Sequence, residues 1–467
     1  MHSKIESLDF VVLCLFVLSQ AFTVPLFTIG PSWAVWPTAG DILVAAMVLV
    51  MIAHACVGVG RIQSKTNRRI LTLLLLLLAG CTFSYLILCR AMPILHPTES
   101  GRAADFGEYQ LYRIAQAILA FVFASQIDLT PRRRRFLSFA AVTALTIVCT
   151  SLFLEYFGIV SASAYADHLP KSTFVAGPWG YYASAEGSFG YGTIGYNHAY
   201  SSSQVLLLLV LCLLLNPKAR NFAKAGLVFL AEAAIFASGC RAVFLASLIF
   251  LIVLFVRRPR TLAAFACVLL VVAGLTAGFA PSVPGLLRPA VDRALDLNPF
   301  ADTYSGGRPQ RWSGQIDYLN EEPLRWLVGA GFGTAVEETD NAHMIYLQII
   351  NETGVLGLAA FVFAFWEIFR QLYRAGPDSR PMFFGTIAIL TASIAQETLY
   401  PVPAMGQYIA FYTFCLALAL RPARRRVRYR MVFVTDPARQ RASNLAEIWP
   451  LNLNRGTVAA TESPDHA

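Results

Sequence analysis

The stretch ASGCRAVFLAS, residues 237–247, decides how the chain is threaded. It lies inside Ala225–Val256, a run of 32 residues whose only charges are Glu232 and Arg241. An arginine at the centre of a bilayer costs about 2.5–3.5 kcal/mol on insertion scales. A single span needs only about 20 apolar residues, so the run is too long for one crossing and would bury Arg241 in the middle. Read as two short spans joined by a tight SGCR turn, the same residues place Arg241 at a membrane surface.

The rest of the chain supports a membrane setting. Of its 467 residues, 56% are hydrophobic and 14% charged, against about 25% charged in soluble domains. The mean hydropathy is +0.56. The fold class expected is an all-α polytopic membrane protein. Apolar runs predict twelve transmembrane helices: 10–29, 40–60, 70–89, 110–128, 136–157, 199–216, 223–238, 241–256, 261–280, 348–369, 382–399 and 406–420. The first starts just after Asp9 and lacks a small-residue cleavage site, so it reads as a retained span. Nine cysteines, an odd number lying mostly in apolar runs, suggest neither a disulfide framework nor a metal site. There is no CxxC and no HExxH.

The connections test the count. RIQSKTNRR, TPRRRR, PKARNFAK, RRPR, RQLYRAGPDSR and RPARRRVRYR follow the even-numbered spans and together hold 23 of the 37 Lys and Arg. Basic connections stay cytoplasmic. The alternation therefore places both termini in the cytoplasm and explains the net charge of +9 without nucleic acid. Residues 1–430 are expected to form the membrane domain, and 431–467 a partly disordered cytoplasmic tail. Two odd-numbered connections, about 158–198 and 281–342, are long and face outside. In the second, LRPAVDRALDL and QRWSGQIDYLNEE have amphipathic helical spacing.

The polar chemistry gathers in 328–358, VGAGFGTAVEETDNAHMIYLQIINETGVLGL, and just upstream in SGGRPQRWSG. A glycine-rich turn leads through acidic residues to His343, and a helix then enters the membrane past ETG. Histidine has the unperturbed pKa nearest neutrality and suits general base work. Arg308 and Arg311 offer planar cationic forks that match phosphate oxygens. GAGFG is not a dinucleotide fingerprint, because no parallel strand precedes it. Glu232, inside a span, is expected to pair with a nearby cation in a structural role. His198, Trp179 and Tyr196 lie in an aromatic region that either contacts glycan or acceptor or forms an interfacial belt.

These motifs resemble the O-antigen ligase and O-antigen polymerase superfamily of bacterial envelope glycosyltransferases. Three elements carry the resemblance. The first is the Ser238-to-Arg241 turn between two spans. The second is Arg308 four residues before Trp312, followed by LVGAGFG. The third is HMIYLQIINETGVLGL from His343, close to the family's HNxYLQxxxExGxxGL; Met344 stands where the family has Asn. GTIGYNHAYSSSQVLLLL, 192–209, is similar to the segment opening the core span of polysaccharide polymerases.

The resemblance implies a GT-C-like transferase of the bacterial inner membrane that needs no metal or other cofactor. Its donor would be an undecaprenyl-diphosphate-linked oligosaccharide. His343 would deprotonate the acceptor hydroxyl at the periplasmic face, and Arg241 and Arg308 would hold the diphosphate. Arg311, close in sequence, joins that role. Polymerase is the first reading. A ligase acting on lipid A core or protein is the second, and a non-catalytic transporter of polysaccharide or lipid carrier is the third. Sugar identity, linkage, chain length and oligomeric state are not encoded in any legible motif.

Overall fold

The computed structural model describes residues 2–23, 37–57, 64–91, 102–160, 192–194, 198–217, 219–256, 308–333, 342–396, 398–401 and 407–421, with isolated positions 26, 62 and 263. The elements within them are helical: α1 (His2–Ser19), α2 (Ala39–Cys56), α3 (Lys65–Ser84) running into a π-helical turn (Tyr85–Ala91), α4 (Arg102–Gln126), α5 (Pro131–Tyr156), α6 (His198–Leu215), α7 (Asn221–Ala237), α8 (Arg241–Phe255), α9 (Arg308–Glu321), α10 (Pro323–Val328), α11 (Ile345–Ala375), α12 (Arg380–Ala392) and α13 (Gln407–Ala419). All of them belong to one unit, Met1–Ala423.

Local chemistry starts several of these helices. Thr38 caps α2 in a capping box with Asp41, Ser64 accepts from Asn67 N–H at the start of α3, and Thr130 precedes Pro131 at the start of α5. The ends reflect competition for carbonyls. Ser19 Oγ and Gln20 Nε2 both donate to the Phe16 carbonyl, at 2.8 and 3.0 Å, and α1 stops at Ser19 rather than continuing to 29. Ser393 Oγ takes the Ile389 carbonyl at 2.7 Å, and α12 ends at Ala392, short of the expected 399.

Helices lie on the expected spans except 261–280, which falls outside the described residues, as do LRPAVDRALDL and the tail 431–467. Five helical stretches are long and apolar enough to cross a membrane: α2, Lys65–Leu88, α5, α6 and α11. Shorter apolar helices cover Leu8–Ser19, α8 and α13. The protein is thus a multi-pass, helical membrane protein.

Burial sorts these helices into centre and rim. Every residue of α6 after His198 is buried, and α13 is buried at all positions except Ile409. Helices apolar all round belong in the interior. The outer helices carry exposed apolar side chains instead, among them Leu76 and Phe83 on α3 and Phe363 and Trp366 on α11. Such a surface suits lipid rather than water.

The hairpin at 238–240 is present. α7 ends at Ala237, Gly239 takes φ 71, and α8 begins at Arg241. Inside the hairpin, Glu232 Oε2 accepts from Ser247 Oγ at 2.8 Å, so the partner observed is a serine hydroxyl and not the expected cation.

Candidate functional site

The site begins with two backbone breaks that fit into each other. The turn after α10 places Gly329, Gly331 and Gly333 at φ 78, 116 and 96. α11 is broken at Gly354, φ 67 and ψ −172. That break frees carbonyls that an intact helix would use internally. The glycine turn takes them: Ala330 N–H donates to Asn351 O at 2.8 Å and Gly331 N–H to Glu352 O at 3.2 Å. A Cβ at Gly329 would strike the Glu352 carbonyl, and one at Gly354 the Leu327 carbonyl. The positive φ and the close backbone approach both require glycine here.

Glu352, fully buried, closes this clasp. Its Oε2 accepts from Gly333 N–H at 3.0 Å and from the Tyr400 hydroxyl. Its Oε1 accepts from Gln348 Nε2 at 2.9 Å. Gln348 Oε1 in turn accepts from Ala342 N–H at 3.3 Å. Helix α9 is bound to the same place, because Trp312 Nε1 donates to Ala342 O at 2.8 Å and Asn351 Nδ2 donates to Gln315 Oε1.

His343 follows Ala342, half-buried, at φ 49. Among the described residues it is the one non-glycine with positive φ. Such a conformation costs about 1–3 kcal/mol and persists where surrounding contacts impose it. Here they do: Ala342 is held at both its N–H and its carbonyl, and Ile345 N–H donates to Ser393 O at 3.1 Å. Arg311 Nη1 lies 3.0 Å from His343 Nε2. A guanidinium has no acceptor, so Arg311 is the donor in this contact.

The other candidates are placed by topology. The connections α6–α7 and α7–α8 are five and three residues long, which makes these helices antiparallel neighbours. Their geometry puts the N-termini of α6 and α8, hence His198 and Arg241, at one end. Gly385 in the middle of α12 packs against Val210 of α6. Just past the end of α12, the Ser393 carbonyl meets Ile345 N–H, two residues after His343. Arg308 lies one turn before Arg311 on α9, on the same helical face. Arg311 thus meets His343, with Arg308 beside it on the same helix. Three of the arginines sit in the first turn of a helix, where the dipole disfavours a cation and favours an anion. Trp179 and Tyr196 lie outside the described residues.

An apolar cavity of about 480 Å³ lies among α3, α4, α11 and α13. Leu77 and Ile114 line it from α3 and α4, and Phe361 and Tyr412 from α11 and α13. It reaches Phe332 of the glycine turn and Ile345, two residues from His343.

One cluster escaped the sequence reading. Arg113, 1% exposed, pairs with Asp41 across α4 and α2, and donates to Gln116 Oε1 at 2.7 Å. Gln116 Nε2 reaches Asp41 Oδ1 at 2.7 Å, and Thr38 Oγ1 reaches Gln407 Oε1 at 2.8 Å. The sequence carried a signal for it, a lone arginine inside the apolar run 110–128, of the kind that is rarely placed without a partner.

Fold and contacts together define a multi-pass helical membrane protein in which a strained histidine meets an arginine beside a glycine clasp. Residues 225–362 match the model of the O-antigen ligase family. The match spans the Arg241 hairpin, α9, the glycine turn and the first part of α11, and it supports placing the chain in the O-antigen ligase and polymerase superfamily, a family of glycosyltransferase type. No curated protein matches the chain.

Proposed function

We propose that the protein transfers glycan from an undecaprenyl-diphosphate-linked donor to an acceptor hydroxyl at the periplasmic face of the inner membrane. The observation that carries the reading is His343, held in a strained conformation 3.0 Å from Arg311 within the matched segment. His343 Nε2 is the general base. Attack by the acceptor oxygen on the anomeric carbon breaks the bond to the diphosphate, and the acceptor proton passes to Nε2. Arg241, Arg308 and Arg311 stabilise the charge on the departing lipid diphosphate, the task that a divalent metal performs in other transferases. Nε2 has a single in-plane lone pair, so the Arg311 N–H must leave it before that nitrogen takes the acceptor proton. The apolar cavity beside the site suits the polyprenyl chain of such a donor.

In this reading twelve spans cross the bilayer, both termini are cytoplasmic, and residues 431–467 form a tail. The segment GTIGYNHAY favours a polymerase that extends lipid-linked repeats. A deletion strain tests it: accumulated single lipid-linked repeats are the expected outcome, and accumulated long lipid-linked chains would make the protein a ligase. Full-length surface glycan in cells carrying His343→Ala would refute the mechanism.

A further inference from the structure

Glu352 does not enter the transfer step, yet it joins the glycine turn, α11 and the segment before α13. We infer that Glu352 is a positioning residue for His343, acting through Gln348 on the backbone N–H of Ala342, the residue before it. The inference rests on His343 being the base.

The hydrogen-bond directions make the case. Gly333 N–H and the Tyr400 hydroxyl both donate to Oε2, which anchors the carboxylate from two separate segments. Oε1 is left to accept Gln348 Nε2. That contact decides which way the Gln348 amide faces: with Nε2 turned to Glu352, Oε1 is turned to Ala342 N–H. Ala342 O is meanwhile held by Trp312. The residue before His343 is therefore fixed at both polar backbone atoms, and one of the two anchors depends on Glu352 being an acceptor at both oxygens.

A glutamine at 352 has nearly the same volume but one acceptor. If its oxygen keeps Gly333 and Tyr400, its NH2 faces the Gln348 NH2. Gln348 must then rotate its amide, and its Nε2 meets Ala342 N–H, donor against donor. Exchanging the pair, Glu352→Gln with Gln348→Glu, matches every donor again: the amide at position 352 would donate to the carboxylate at position 348, whose second oxygen would accept Ala342 N–H.

The test uses the full-length protein in membranes of a host lacking its own copy, with transfer measured per unit of protein. His343 is also read without any substrate, as the rate of its carbethoxylation by diethyl pyrocarbonate, located by mass spectrometry. Glu352→Gln is expected to lower transfer about 10- to 100-fold, the scale of an ångström-sized displacement of a reacting group, and to change the carbethoxylation rate. The exchanged pair is expected to restore transfer to within about threefold of the parent and to return the carbethoxylation rate, a recovery that generic loss of packing would not show. Glu352→Gln at parental transfer and parental carbethoxylation would overturn the inference. So would an exchanged pair that is present in the membrane at the parental level and fails to recover. Should Glu352→Gln fail to accumulate, the exchanged pair decides alone on the same two outcomes. If His343→Ala still transfers, the base assignment fails, while the carbethoxylation rates still report whether Glu352 governs His343.

Discussion

Arg113 and His343 are both cation-forming side chains set into an apolar bundle, and their surroundings differ in kind. Arg113 is sealed from solvent, paired with Asp41 and tied to Gln116. His343 is half-buried, strained at φ 49, and joined through Nε2 to an arginine in the first turn of α9. Arg113 holds helices α2 and α4 together with an opposite charge. His343 faces a guanidinium that donates to its Nε2. A saturated ion pair has nothing left to offer a ligand, whereas backbone strain is typical of a place where chemistry occurs.

This contrast can be broken by substitution. His343→Ala should abolish glycan transfer while membrane levels stay at the parental value, checked by immunoblot beside the surface-glycan profile. Asp41→Ala should do the reverse. It strands a buried guanidinium and should cost about 3–5 kcal/mol of stability, seen as a lowered thermal midpoint in detergent, with the surviving folded protein still active. An inactive but fully stable Asp41→Ala protein would move the buried pair into the catalytic centre. Arg241→Ala should lower transfer by about 100-fold, the effect of losing one group that stabilises developing negative charge, with stability retained. Arg311→Lys should have the smallest effect, a loss of about tenfold in transfer, because lysine keeps the charge and loses the planar fork. Equal losses for Arg241→Ala and Arg311→Lys would place the fork of Arg311, and not the charge of Arg241, at the diphosphate.

The apolar runs were legible in the sequence because helix formation in a membrane depends on local composition, with each backbone hydrogen bond closed four residues away. The hairpin at 238–240 was legible for the same reason, since a 32-residue run with one arginine at its middle is too long for one crossing. The end of α1 was less so. Ser19 and Gln20 both bond the Phe16 carbonyl where α1 ends, and a hydropathy reading scores such residues only as mildly polar. Glu232 shows the limit of charge-pairing logic: its observed partner is an uncharged serine on the next helix.

By itself the sequence determined that this chain is a helical membrane protein. It also set where a glycine turn must lie and which histidine and arginines carry the family motifs. Only the tertiary structure decided that Gly354 and Gly329 interlock, that Arg311 meets His343 across 32 residues, and that Glu352 draws its donors from Gly333 and from Tyr400, 48 residues away. The physical reason is range. Hydropathy and backbone propensity act over one or two turns, whereas a hydrogen bond between distant residues exists only once packing has brought a donor and an acceptor to within about 3 Å.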